Sequence, residues 1–221
     1  MQMKRVMWKS LVLLGILAAL TMGCAETSVD GTFRDERDGE EYKTVSIGNQ
    51  TWLAENLRFD SPGSMLNSEN PTSDYGRIYT VFSLKDACPI GWHVPSDKEW
   101  DEVEIAHGMP ASFIGKGGWR GEHAVSLKAE TDWQEGETGT NKLGFRVLPA
   151  GYYFSGDLGG EIGIQGLGYS AAFWSSTEED LLNGDKTTMA RFMFGEPTFV
   201  NKWSDINGDS GSGLSCRCVK D

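Results

Sequence analysis

The pattern of hydrophobic and polar positions begins with one long apolar run near the N-terminus. Residues 11–22 are almost wholly apolar; three basic residues precede them, and Gly23 and Cys24 follow. This run is shorter than the roughly 20 residues that a membrane-spanning helix needs. A basic start, a short apolar run and small residues behind it are typical of a secretory signal. We therefore predict a signal peptide over residues 1–23 and export of the mature chain.

Beyond residue 37, short apolar and β-branched stretches alternate with turn residues. Residues 42–47 and 50–53, joined by Gly48-Asn49, predict a β-hairpin. The same reasoning predicts further strands over residues 77–82, 145–148, 173–176, 189–194 and 214–220. The intervening segments 60–74, 115–139 and 156–168 are polar or rich in glycine and predict loops.

One helix has a clear local signal. Ser96 followed by Glu99 forms a capping box, in which each side chain satisfies a backbone N–H at the start of the helix. Apolar residues recur at helical spacing after it, until Gly108 and Pro110 end the pattern. We predict a helix from about residue 97 to residue 107.

Composition narrows the classes of function. The formal net charge is −12, and removing the three basic residues of the leader gives −12 − 3 = −15. Nucleic acid is excluded as a partner, since phosphate binding needs a concentrated basic surface. The 28 glycines, eight Trp, ten Phe and six Tyr favour tight turns and large aromatic anchors over helical bundles or disorder.

The position of Cys24 resembles the lipobox of bacterial lipoproteins, which implies that Cys24 becomes the acylated N-terminus and anchors the chain to a membrane. Leu20 lies one position too far upstream and Met22 is large for its slot, so cleavage after Ala25 remains an alternative. We expect a membrane-anchored protein at the outer membrane or cell surface. Residues 24–37 are polar and predict a flexible tether.

Several segments together resemble one family of exported bacterial proteins, the Fibrobacter succinogenes major paralogous domain. The matching stretches are residues 38–57, 75–80, 86–100, 144–151, 173–178 and 215–221. The resemblance implies one domain over residues 38–221, in a family of surface or secreted modules whose biochemical role is largely unassigned. The same motifs are similar to the C-type lectin-like and formylglycine-generating-enzyme folds. They imply an α+β fold: a small twisted antiparallel sheet, one or two helices and long Gly-rich loops.

Besides Cys24, the chain has three cysteines, Cys88, Cys216 and Cys218. Residues two apart on a strand face the same side, so either Cys216 or Cys218 can reach Cys88. Cys218 occupies the cysteine position of the family's closing segment, which favours a Cys88–Cys218 disulfide and a buried Cys216 thiol. The three histidines lie at no useful spacing from these cysteines, so we expect no metal site there.

Asp205, Asn207 and Asp209 alternate oxygen-bearing side chains as calcium loops do. The register does not fit an EF-hand, because Ser210 replaces the glycine and Cys216 the final glutamate. A turn between two edge strands is the favoured interpretation, and a calcium site is the alternative. No other cofactor is expected.

Aromatic residues supply the ligand-binding hypothesis. Four tryptophans in strand-like or helical motifs are expected in the core: Trp52, Trp92, Trp100 and Trp174. Five aromatic residues lie in polar, Gly-rich stretches, where large exposed rings suit a sugar ring or a protein partner: Trp119, Trp133, Tyr152, Tyr153 and Trp203.

Catalysis has little support in the sequence. There is no Gly-x-Ser-x-Gly motif, and the acidic residues Glu178, Glu179, Asp180 and Glu99 suit solvated ends of elements better than paired catalytic carboxylates. We expect a non-enzymatic binding or adhesion module for a polysaccharide or a neighbouring envelope protein. The alternatives are a structural envelope protein without a small ligand and a secreted carbohydrate-active enzyme.

Overall fold

The computed structural model describes residues 29–66, 73–134, 137–156, 162–180, 183–195, 199–206 and 211–221. The strands within these ranges are β1 (Val29–Arg34), β2 (Glu41–Ile47), β3 (Gln50–Leu53), β4 (Met65–Leu66), β5 (Arg77–Thr80), β6 (Trp92–His93), β7 (Gly118–Arg120), β8 (Tyr152–Phe154), β9 (Gly163–Gln165), β10 (Ser170–Asp180), β11 (Lys186–Phe194), β12 (Val200–Ile206), β13 (Gly213–Ser215) and β14 (Val219–Lys220). The α-helices are α1 (Val81–Leu84), α2 (Asp97–Ala106) and α3 (Ala124–Leu127). Short 3₁₀ turns lie at Ser73–Tyr75 and Ala111–Phe113.

The strands form two sheets, a five-stranded sheet in the order β1-β2-β3-β14-β6 and a nine-stranded sheet. The second sheet runs β4-β5-β13-β10-β11-β12-β7, with β8 pairing β13 and β9. Two long antiparallel partners, β10 and β11, form its centre. The predicted hairpin is confirmed as β2 and β3, with Gly48 at a positive φ of 61° in the turn between them.

The expected α+β, C-type lectin-like fold is wrong for this chain. Strands make up most of the regular secondary structure. Two of the three α-helices in the described part of the chain are only four residues long. Several predicted loops also contain strands, since β7 and β9 lie in the Gly-rich stretches. Conversely, the predicted strand over residues 145–148 is an irregular, mostly buried segment in which Arg146 has a φ of 51°, and it makes a single β-bridge, between Val147 and Lys128.

The folded part begins earlier than expected. Residues 29–34, assigned to the tether from their polar composition, form β1 and pair antiparallel with β2. Phe33 of β1 packs its ring against Trp92 at 4.9 Å between centroids, which gives this edge strand an apolar anchor. A polar stretch is therefore held by pairing with its neighbour, which its own composition does not signal.

The predicted helix is confirmed as α2. The Ser96 hydroxyl accepts from the Glu99 N–H at 3.3 Å, and the Glu99 carboxylate accepts from the Ser96 N–H at 2.7 Å. Trp100 of α2 lies in the main core, with ring centroids 5.2 Å from Trp52 and 5.6 Å from Phe173. The four tryptophans expected in the core are all buried, Trp52 and Trp100 in this cluster and Trp92 and Trp174 in a second one.

The C-terminal segment joins the two sheets. The predicted single strand over residues 214–220 is divided into β13 in the larger sheet and β14 in the smaller one. Between them Arg217 is fully buried and donates hydrogen bonds to the Phe145 carbonyl and, at 2.7 Å, to Asn56 Oδ1. Its guanidinium also lies over the ring of Phe145, 4.5 Å from the centroid. Burial lowers the pKa of Arg217 to about 9.

Candidate ligand-binding face

Two exposed tryptophans lie on neighbouring strands at one edge of the larger sheet. Trp119 of β7 pairs with Asn201 of β12, and Trp203 lies two residues further along β12. Paired residues and residues two apart share a face of a sheet, so these three side chains project from the same side. Trp119 is 47% exposed and Trp203 43% exposed, which is high for indole rings. Diagonal neighbours of this kind have Cβ atoms roughly 7 Å apart.

The two tryptophans belong to a continuous group of rings, which we call the aromatic face. Trp203 contacts Phe192 at 5.4 Å between centroids, Phe192 contacts Phe194 at 6.3 Å, and Phe194 contacts Trp119 at 5.8 Å. The aromatic face consists of Trp119, Tyr152, Tyr169, Phe192, Phe194, Phe199 and Trp203. It therefore presents an apolar strip whose outer rings reach solvent.

The opposite side of the same strands carries buried charges that fix the face in place. Arg120 of β7, Arg191 of β11 and Lys202 of β12 meet three carboxylates of α2. Those carboxylates are Asp97, Asp101 and Glu104. Strand alternation thus directs the rings outward and the cations inward toward α2.

Glu104 is the centre of this charge cluster. It is fully buried, accepts from Arg191 Nε at 2.7 Å and from His123 Nε2 at 2.9 Å, and also pairs with Arg120. Burial alone would raise the pKa of Glu104, but the His123 hydrogen bond and the two guanidinium groups lower it below its usual value. Glu104 is therefore an ionised anchor between α2 and the sheet.

A glycine-lined pocket of about 470 Å³ adjoins Trp203. Glu179, Asn201 and Lys202 contribute its polar groups, and Met189 an apolar one. Gly115, Gly117 and Gly118 complete the lining. Gly118 has a φ of 80°, and a Cβ there would meet no heavy atom within 4 Å, so the absence of side chains keeps this space open.

A second pocket, which we call the histidine pocket, adjoins Trp119. It has a volume of about 520 Å³ and is lined by His107, Gly108, Pro110, Phe113, Trp119, Gly121, Glu122, His123 and Phe199. His107 is 6% exposed and His123 3% exposed. His107 Nε2 and His123 Nδ1 are buried polar atoms that have no hydrogen-bond partner within the described residues. The two exposed tryptophans therefore each border one pocket.

The aromatic residues predicted from the sequence do not all share this face. Tyr152 does, because its ring lies edge-on to Phe192 at 5.6 Å. Tyr153 follows it on β8 and so points to the other side of that strand. Trp133 is only 5% exposed and donates from Nε1 to the Val147 carbonyl at 3.0 Å, so its assignment as a ligand residue is wrong and it belongs to the core.

The favoured pairing of the cysteines is confirmed. Cys88 and Cys218 form a disulfide, and Cys216 is a buried free thiol. Cys216 Sγ lies 3.9 Å from Cys88 Sγ, so the three sulfurs form one cluster. Two of the three are oxidised and so do not act as thiolate ligands. Burial raises the pKa of the Cys216 thiol to about 12.

Other sites predicted from the sequence lie partly outside the described residues. Asn207 and Asp209 of the calcium hypothesis fall there, as does the lipidation site Cys24 with the whole of residues 1–23. Asp205 lies within β12 rather than in a loop.

The acidic residues considered for hydrolysis are dispersed. Glu178 borders a pocket beside the disulfide, whereas Glu179 borders the glycine-lined pocket. Glu99 caps α2 and accepts from His93 Nε2 at 2.9 Å, and the other ring nitrogen of His93 pairs with Asp221 at 2.6 Å.

Sequence reasoning missed His107 and His123. His107 follows the last turn of α2, three residues after Glu104, at the end of the helix predicted from the capping box. A weak signal existed, since Asp97, Asp101 and Glu104 repeat at helical spacing along one face of the predicted helix. A stripe of acids with an imidazole at its end indicates buried cationic partners.

Comparison with known proteins gives one positive result. No curated protein and no solved structure matches the chain significantly. None of the helices that the structure describes is long and apolar enough to cross a membrane. The family model of the Fibrobacter succinogenes major domain matches residues 45–220. The chain therefore belongs to this family, and the match indicates an extracellular or surface domain.

Proposed function

We propose that this protein is an exported module, anchored through an acylated Cys24, that binds a carbohydrate chain on its aromatic face. The observation that carries the proposal is the arrangement of Trp119 and Trp203 around Asn201 on neighbouring strands. Both indoles are nearly half exposed, and large exposed aromatic surface is a mark of binding sites. Flat rings stack on the apolar faces of sugars, while an amide both donates to and accepts from hydroxyl groups.

Rigidity of the face supports the same proposal. The rings stand on three strands whose opposite side is fixed to α2 by buried ion pairs of Arg120, Arg191 and Lys202. A binding surface held on strands loses little conformational freedom when it binds. The negative charge of the chain, −12, favours a neutral ligand over an anionic one.

We propose a binding role without catalysis. In support, Glu178 and Glu179 border different pockets, and both ring nitrogens of His93 are already engaged by carboxylates. The proposal also includes no cofactor, and binding is therefore expected to be the same with calcium and with a chelator.

The test is a depletion isotherm on insoluble cellulose and xylan, in calcium and again in chelator. Trp119→Ala and Trp203→Ala should each weaken binding at least about tenfold, as truncation of a central aromatic contact does. Their Tm should change by less than about 4 °C, because partly exposed rings contribute on the order of 1 kcal/mol to folding. Wild-type protein that binds neither these polymers nor the soluble cellohexaose and xylohexaose, or tryptophan variants that bind as well as wild type, would exclude the proposal.

Phe82→Ala is the matched control. Phe82 is 74% exposed on α1, which follows β5, and β5 is separated from β12 by β13, β10 and β11. Its truncation removes an exposed ring of similar size far from the aromatic face. Binding by this variant should equal that of wild type, and a loss as large as that of Trp203→Ala would point to non-specific adsorption through any exposed ring.

A further inference from the structure

The histidine pocket contains two buried imidazoles, each of which uses only one of its two ring nitrogens in a hydrogen bond within the described residues. His107 bonds through Nδ1 to the Val103 carbonyl at 2.8 Å, and His123 bonds through Nε2 to Glu104 Oε2 at 2.9 Å. The remaining nitrogen of each ring has no partner within the described residues, although both residues are more than nine-tenths buried. Buried polar groups without partners are rare in folded proteins, and they often belong to a functional site.

The inner hydrogen bonds determine which protons the rings carry. A carbonyl and an ionised carboxylate only accept, so His107 Nδ1 and His123 Nε2 must be the protonated nitrogens. In neutral rings, His107 Nε2 and His123 Nδ1 then carry lone pairs. Burial lowers the pKa of His107 to about 4, which keeps that ring neutral at physiological pH. The pocket thus offers one fixed acceptor, His107 Nε2, and one further ring nitrogen without a partner in the described part of the chain, His123 Nδ1.

The rest of the lining adds apolar walls and a further acceptor. Phe113, Trp119 and Phe199 supply the aromatic walls, and Glu122 is the exposed carboxylate of the lining. Trp119 brings an unused indole N–H to this lining, whereas the carboxylate of Glu122 and Nε2 of His107 only accept. A ligand that fits must bring hydroxyl donors and an apolar ring face, and a ligand carboxylate would be repelled by Glu122.

We propose that the histidine pocket receives hydroxyl groups of the sugar ring that stacks on Trp119, and that it selects neutral sugars over uronic acids. This inference rests on the proposed function, and it names the class of carbohydrate bound. Trp119 connects the two, because its ring belongs to the aromatic face and also lines the pocket. One sugar unit can therefore stack on the indole and present its hydroxyl edge to the imidazoles.

The test uses isothermal titration of the full chain with cellohexaose, xylohexaose and hexagalacturonate. Wild type should bind at least one of the two neutral oligosaccharides and bind hexagalacturonate at least about tenfold more weakly. His107→Asn keeps an N–H near the Nδ1 position for the Val103 carbonyl but lacks Nε2. His123→Gln likewise keeps a donor for Glu104 but lacks Nδ1. Each should weaken binding of the neutral oligosaccharide about 3- to 10-fold, the range for one hydrogen bond, with little change in Tm.

Glu122→Gln provides an arm that does not disturb the buried residues, since Glu122 is exposed. It should improve binding of hexagalacturonate relative to the neutral oligosaccharide. His93→Gln changes the third histidine, which lies at the other pocket, and should leave affinity unchanged.

The outcomes separate this inference from the proposed function. If the tryptophan variants lose binding while His107→Asn, His123→Gln and Glu122→Gln match wild type, the aromatic face binds sugar and the histidine pocket does not. Equal affinity of wild type for neutral and uronic oligosaccharides would also overturn the inference. If the tryptophan variants bind like wild type, the proposed function itself is excluded, whatever the histidine variants show.

Discussion

Removal of Cys218 should not remove the disulfide. In Cys218→Ala, the Cys216 sulfur, 3.9 Å from Cys88 Sγ in the wild type, is the nearest replacement partner. The native bond joins residues 130 apart in sequence, and the replacement would join residues 128 apart. Loop-closure entropy depends on the logarithm of this length, so the two bonds constrain the unfolded chain almost equally, each by about 5 kcal/mol at 25 °C.

The expected ranking of stability follows from this arithmetic. Cys88→Ala can form at most a bridge between Cys216 and Cys218, whose very short loop hardly constrains the unfolded chain, and it should lose on the order of 3 to 5 kcal/mol of unfolding free energy. Cys218→Ala should lose much less unfolding free energy, because only the packing around one repositioned sulfur changes. Urea unfolding of both variants, in a Cys24→Ala background and purified from an oxidising compartment, measures the difference. The double variant Cys216→Ala with Cys218→Ala is the control and should match Cys88→Ala.

Thiol titration gives an independent count of bridges. In the Cys24→Ala background, the chain that keeps the other three cysteines should release one reactive thiol, from Cys216, and only after denaturation, because that sulfur is fully buried. Cys218→Ala should release none, and the double variant Cys216→Ala with Cys218→Ala should release one, from Cys88. Two thiols from Cys218→Ala, with a urea midpoint equal to that of Cys88→Ala, would refute the reasoning.

Four further predictions concern buried or paired charges. Burial alone would lower the pKa of His93, but its hydrogen bonds to two carboxylates outweigh burial and raise it. The contribution of His93 to folding stability is therefore complete below its unfolded pKa near 6.5 and is lost as pH rises through the folded value. Tm measured from pH 6 to 8.5 should fall more steeply for wild type than for His93→Gln. His107 has the opposite sign, since burial lowers its pKa to about 4: stability should fall by about 3 kcal/mol between pH 6.5 and 4, and His107→Asn should remove that part in acid urea titrations. Arg217→Lys should cost at least about 2 kcal/mol in urea unfolding, because one ammonium cannot replace a guanidinium that donates to several acceptors; an unchanged midpoint would contradict this. Arg191→Met should lower Tm by roughly 10 °C, because it leaves the buried Glu104 and its neighbours short of positive charge; calorimetry that shows a rise would indicate that the ion pairs are not stabilising.

Local signals predicted the elements that local residues determine. The capping box of Ser96 and Glu99 and the Gly48-Asn49 turn both act within a few residues, and both elements are present as expected. Strand β12 had no such signal: its polar sequence is held by pairing with β11 on one side and β7 on the other. The division of the C-terminal segment between two sheets is likewise a tertiary property, and it is why one small sheet was expected where two exist.

The same distinction applies to the site. Trp119 and Trp133 both lie in polar, Gly-rich stretches, yet one ring is nearly half exposed and the other is in the core. The two rings differ in their tertiary neighbours. Trp133 Nε1 donates a hydrogen bond to the Val147 carbonyl, whereas Trp119 lies on an edge strand. Composition can select candidates for a binding face, but only the pairing partner of a strand decides which of its residues reach solvent.

Strand β1 changes what lipid anchoring at Cys24 would mean for the ligand. The first described strand begins at Val29, so four residues lie between it and the proposed lipid at Cys24, and the five Cα–Cα steps of such a stretch span at most about 18 Å. A tether that ran to residue 37 would have reached roughly 50 Å. An acylated Cys24 therefore holds β1 close to the lipid headgroups. The ligand of such a module must come to the membrane surface, which favours a glycan that is itself displayed there or soluble oligosaccharides over a distant insoluble polymer.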